Sequence, residues 1–101
     1  MEKISEEIFD EKIASPGNVI IDLSSPGCAP CKKVPALLTE IIEENRDKQI
    51  SAFEIDVTEE PGIATKLFVL GVPTIIVFHD GNEITRFNSV PAKKKIVSVL
   101  K

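Results

Sequence analysis

The sequence predicts an α/β domain, a central mixed β-sheet flanked by helices on both faces, and three observations carry that prediction. Short apolar runs alternate with helically spaced ones along the chain: an opening helix is followed by strand, helix, strand, helix, strand, strand and helix. Two of the runs, Val19-Ile20-Ile21-Asp22-Leu23 and Ile75-Ile76-Val77-Phe78, are apolar at nearly every position, as in strands covered on both faces. Asp80-Gly81 lies between two strand-like runs and marks a hairpin, so one strand pair is antiparallel. At 101 residues the chain is expected to form one domain spanning 1–101, large enough to bury about two-thirds of its unfolded surface.

Ser5 precedes an acidic helical stretch, Glu6 to Ala14, whose apolar side is Ile8, Phe9 and Ile13. Ser15-Pro16-Gly17-Asn18 breaks it, and the buried strand Val19 to Leu23 follows. Asp22 is the anomaly in that strand. A buried carboxylate is costly unless it is paired or protonated, so its pKa should be raised; the plainer alternative is that it points outward at a strand end. The loop Ser24-Ser25-Pro26-Gly27 delivers the chain to Cys28. Val34, Leu37, Leu38, Ile41 and Ile42 then recur on one face of a helix running to about Asn45, and Pro35 inside it predicts a kink. Gln49 to Val57 alternates, with Phe53, Ile55 and Val57 on one side, as a second strand. Glu59-Glu60-Pro61-Gly62 starts a short helix through about Phe68. Gly71-Val72-Pro73-Thr74 leads into Ile75–Phe78, and Glu83 to Phe87 is the return strand. Pro91 opens a last helix with Ile96, Val99 and Leu100 inward, and Lys93-Lys94-Lys95 reads as its solvated face.

A net charge of −4 and the lack of a long basic tract argue against a nucleic-acid partner. No apolar run reaches signal-peptide or membrane-spanning length, so the expected address is the cytoplasm, with no membrane partner. Disulfides in that reducing compartment are mostly transient and catalytic. That bears on the only two cysteines in the chain, which stand in Cys28-Ala29-Pro30-Cys31. Two thiols three positions apart at the start of a helix can close into a small ring and reopen, a reversible two-electron switch. Unpaired N–H groups and the partial positive charge of a helix N-terminus favour thiolate at Cys28, the expected nucleophile. Cys31, one turn further in, is the expected resolving thiol. Pro30 stiffens the ring from a position where its missing N–H costs little.

Other chemistries fit less well. Structural zinc wants four ligands, and two cysteines with the single His79 fall short. A static disulfide closing so short a loop gains little. A copper(I) carrier could use two soft ligands, and a cysteine hydrolase would need His79 beside Cys28. A binding module without turnover is the remaining alternative.

Over nearly its whole length the chain resembles the thioredoxin family. The likeness rests on the Cys-x-Pro-Cys turn, on Asp22 six positions before the first cysteine, and on Gly71-Val72-Pro73-Thr74 ahead of a strand and an Asp-Gly hairpin. It implies the thioredoxin fold and a thiol:disulfide oxidoreductase that reduces protein disulfides without a bound cofactor. Its expected partners are oxidised proteins and a flavoprotein thioredoxin reductase, and the chain is expected to work as a monomer. Asp22 would accept the Cys31 proton, Pro73 would be cis, and the Val72 backbone would pair with the substrate chain. Gly27, Ala29, Pro30 and Ser89 fall at positions that meet the substrate. The chain departs from the family pattern in having no tryptophan before Cys28, where Gly27 stands, in Ala29 between the cysteines, and in Ser89 where a glycine is expected. A lysine often found near the buried aspartate has Ala52 as its nearest match, which leaves the Asp22 pKa governed more by desolvation.

Overall fold

A computed structural model describes all of residues 1–101. In it the apolar runs pair into one five-stranded sheet built from β1 (Glu2–Lys3), β2 (Asn18–Ser24), β3 (Ile50–Asp56), β4 (Thr74–His79) and β5 (Asn82–Phe87). Four helices connect or follow them: α1 (Glu6–Ile13), α2 (Val34–Glu44), α3 (Pro61–Lys66) and α4 (Lys93–Val97). The strand order is β1-β3-β2-β4-β5. β2 runs parallel to β3 and antiparallel to β4, so the sheet is mixed, and β2 lies at its centre with all seven residues buried.

The alternation of side chains along β2 separates two cores. Val19, Ile21 and Leu23 join Phe9, Ile55 and Ile63 on the side of α1 and α3. Ile20 joins Val34, Leu38 and Ile41 of α2 and Ile96 of α4 on the other. Both faces of the sheet are therefore covered, which is why β2 and β4 read as unbroken apolar runs. Asp80 and Gly81 both have positive φ, 51° and 85°, which suits a two-residue turn joining twisted antiparallel strands.

Several expectations change. The N-terminal pair Glu2–Lys3 forms an edge strand parallel to β3, too short and too polar to register as a periodic signal. Pro35 does not kink a helix from within. A 3-10 turn over Pro30–Lys33 precedes α2, and Pro35 occupies the first turn of the α-helix proper, where a missing N–H breaks no bond. The first helix stops at Ile13 rather than Ala14, and β3 ends at Asp56 rather than Val57. The last helix begins at Lys93, two residues after Pro91. Lys93 is not simply solvated, because its ammonium bridges Glu40 and Glu44 of α2.

Candidate active site

β2 ends at Ser24, and the following loop carries the chain across the end of the sheet into Cys28-Ala29-Pro30-Cys31. The two cysteines form a disulfide with their Cα atoms 5.3 Å apart. Cys28 is not within a helix as expected. It closes a turn by donating its N–H to the Ser25 carbonyl (3.2 Å), and only Cys31 lies in the 3-10 turn. The electrostatic benefit survives in another form, since the Cys31 amide donates to the Cys28 sulfur across 3.2 Å. Cys28 is half-buried, whereas Cys31 is only 4% exposed. Gly27, Ala29 and Pro30 around them are exposed, and a side chain at Gly27 would point into open space.

Asp22 does not point outward. It is fully buried on the Ile20 face of the sheet, and neither carboxylate oxygen has a hydrogen-bond partner. Burial, and to a lesser extent the charge of Glu54, together push its pKa up to about 7. Glu54 is the residue directly across from Asp22 in the parallel β2/β3 pair, and single-strand patterning missed it because the pairing register is a long-range fact. Ala52, two residues before Glu54 on the same face and opposite Ile20, carries no charge. Ser24 and Glu54 line an open cleft of about 380 Å³ with Cys31, Pro35, Lys3 and Lys32, and the Ser24 hydroxyl donates to Glu54 across 3.4 Å.

The Val72–Pro73 peptide is cis, as the resemblance implies, with Pro73 buried and Val72 half-buried. Val72 lines a shallow depression with Phe68, Leu70, Arg86 and Asn88, and the exposed Ser89 follows Asn88 in the chain. Phe68 and Leu70 are 84% and 101% exposed. These apolar residues were not singled out from the sequence, where Phe68 read as the end of a helix and Leu70 as part of the link to the next strand. His79 lies elsewhere. It pairs with Asn18, the first residue of β2, and so sits about 20 Å of strand away from the end that leads to Cys28. That separation removes the cysteine-hydrolase alternative; His79 contacts Asp80 at 3.3 Å instead.

One short ring with a half-buried cysteine and a covered one, at the end of the central strand of a mixed sheet that buries an unpaired carboxylate, is the arrangement of a dithiol–disulfide exchange protein. The Thioredoxin family model matches residues 1–101. Thioredoxin from Staphylococcus haemolyticus is 33% identical over 98 residues, covering 97% of this chain and 92% of that one. A Staphylococcus aureus thioredoxin is 32% identical over the same length. Among solved structures, oxidised mitochondrial thioredoxin 3 from Saccharomyces cerevisiae superposes with a TM-score of 0.84 at 25% identity, covering 99% of this chain and 92% of that one. A mutant thioredoxin from Halobacterium salinarum shares the fold at a TM-score of 0.83 and 20% identity, covering 98% and 88%.

This chain belongs to the thioredoxin family. It is a thiol:disulfide oxidoreductase of the protein-disulfide reductase type with a redox-active cysteine pair, and thioredoxins as a family need no cofactor. Proteins of the family work with a thioredoxin reductase and with disulfide-bearing substrates. No helix is long and apolar enough to cross a membrane.

Proposed function

We propose that Cys28 is the attacking thiol, Cys31 the resolving thiol and Asp22 the base that serves Cys31, in a cytoplasmic, monomeric, single-domain reductant recharged by a flavoprotein reductase. The observation that carries the assignment is the difference in exposure between the two cysteines, Cys28 half-buried and Cys31 only 4% exposed, which makes Cys28 the more accessible to a protein disulfide. The Cys31 amide directed at the Cys28 sulfur supports thiolate there.

In the reduced protein, the Cys28 thiolate attacks one sulfur of the substrate disulfide. A Cys28–substrate bond forms, and the other substrate sulfur leaves as a thiolate that takes a proton from water. Cys31 then passes its thiol proton to the Asp22 carboxylate and attacks the Cys28 sulfur. The substrate's second sulfur departs, two electrons have moved to the substrate, and the Cys28–Cys31 bond remains. The Val72 backbone pairs with the substrate chain as an added strand, and Gly27, Ala29, Pro30 and Ser89 flank it. With no tryptophan beside Cys28, Phe68 and Leu70 near Val72 are exposed large apolar side chains available to a partner.

Cysteine variants test the assignment. Cys28→Ser is expected to abolish reduction of a protein disulfide such as that of insulin, and Cys31→Ser to accumulate a covalent complex with the substrate that a small dithiol releases. Full reduction by Cys28→Ser would end the proposal.

A further inference from the structure

Asp22 has no route of its own to water. On its face of the sheet the neighbours along and across the strands are Ile20, Ile75, Ser24 and Glu54. The first two are apolar and fully buried. Ser24 and Glu54 are polar, touch one another, and both line the cleft that also reaches Cys31. A proton taken up by Asp22 therefore has one polar way out, through the Ser24–Glu54 edge of the cleft.

We infer that Glu54 is the outer member of a two-carboxylate proton relay that carries the Cys31 proton from Asp22 to cleft water. The inference rests on Asp22 being the base for Cys31 and adds a positioning residue to that step. The proton balance is simple: Cys31 loses one proton, Asp22 gains it, and Glu54 hands it to solvent and returns to its ionised form. The charge that Glu54 places across the strand from Asp22 is of like sign, and a like charge nearby disfavours a second ionisation. Other charged groups around the cleft are already occupied or peripheral. Lys3 of β1 pairs with Glu59 at 3.0 Å, the Asp56 carboxylate of β3 accepts from the Thr58 hydroxyl at 2.6 Å and the Thr58 amide, and Lys32 extends from the exposed 3-10 turn. From β4 and α2 only apolar groups, Ile75, Val34 and Pro35, come against this face.

The experiment compares wild type, Glu54→Gln, Glu54→Asp and Asp22→Asn, each checked for native circular dichroism. Two quantities are read: the Asp22 carboxyl titration by carbon-13 NMR, and the pH profile of single-turnover reduction of a peptide disulfide, followed by acid quench and mass measurement. Glu54→Gln is expected to lower the Asp22 midpoint by about one pH unit and to slow turnover at pH 8 about three- to tenfold, with Glu54→Asp close to wild type. An unchanged midpoint or an unchanged rate in folded Glu54→Gln overturns the relay. Asp22→Asn separates the two levels: if it leaves the pH profile as in wild type, the base assignment itself fails, whereas a profile altered by Asp22→Asn but not by Glu54→Gln sinks the relay alone.

Discussion

Asp22 makes the stability of the protein depend on pH, because its carboxyl titrates near 3.8 in an unfolded chain and near 7 when folded. Between those values the folded state holds a proton that the unfolded chain has released. Stability from this group is therefore complete below about pH 4, falls as the pH rises towards 7, and is level above it. At roughly 1.4 kcal/mol per pH unit the loss amounts to about 4 kcal/mol. Asp22→Asn keeps the shape of the neutral carboxyl and cannot ionise. It is expected to match wild type in urea at pH 4 and to exceed it by several kcal/mol at pH 8; the same difference at both pH values would contradict the burial account. The composition of one strand was enough to mark this residue, since a lone carboxylate in an apolar run is legible wherever it occurs. Glu54 was not legible in the same way. It looks like an ordinary polar residue of an alternating strand until β3 is laid beside β2 in register.

At the scale of elements, the end of α3 shows a local rule broken. The Val69 amide bonds to the Ala64 carbonyl at 2.8 Å and the Phe68 amide to Thr65 at 3.2 Å, the double bond pattern that closes a helix with one left-handed residue. That residue is Phe68, at φ 57°, where glycine is the usual choice. Its ring is 84% exposed and so recovers little by packing. Phe68→Gly is thus expected to stabilise the protein by about 1 kcal/mol in urea unfolding, the relief of left-handed strain outweighing the added freedom of the unfolded chain. A loss of stability would mean the ring packs in solution. The apolar stripe located α2 and the Pro61 start located α3, but neither showed how the helix begins and ends in detail. Pro35 shows why: a proline early in an apolar stripe is compatible with a kink or with a new start, and the 3-10 geometry of the preceding turn decides between them.

For the whole molecule, the end of the sheet opposite the disulfide is fastened by Asn18. Its amide donates to the Gln49 carbonyl at 3.0 Å and to the Lys101 carbonyl at 2.9 Å, while its carbonyl oxygen accepts the Lys101 amide at 3.0 Å. The residue is fully buried, so each of these bonds satisfies a group with little access to water. Asn18 therefore ties the start of β2 to the approach to β3 and holds the segment whose Ile96 and Leu100 complete the α2-side core. From the sequence it read only as the last residue of a turn, since its partner lies 83 positions away. Asn18→Ala removes all three bonds and strands their partners, at a cost of about 2–3 kcal/mol. Because about 20 Å of strand separates Asn18 from the end that carries the cysteines, reduction of a peptide disulfide by the folded variant should proceed at the wild-type rate. Urea midpoints and single-turnover rates measured side by side check both halves. A variant as stable as wild type would show the bonds to be idle, and a slowed reaction in the folded state would show that the two ends of β2 are coupled through the sheet.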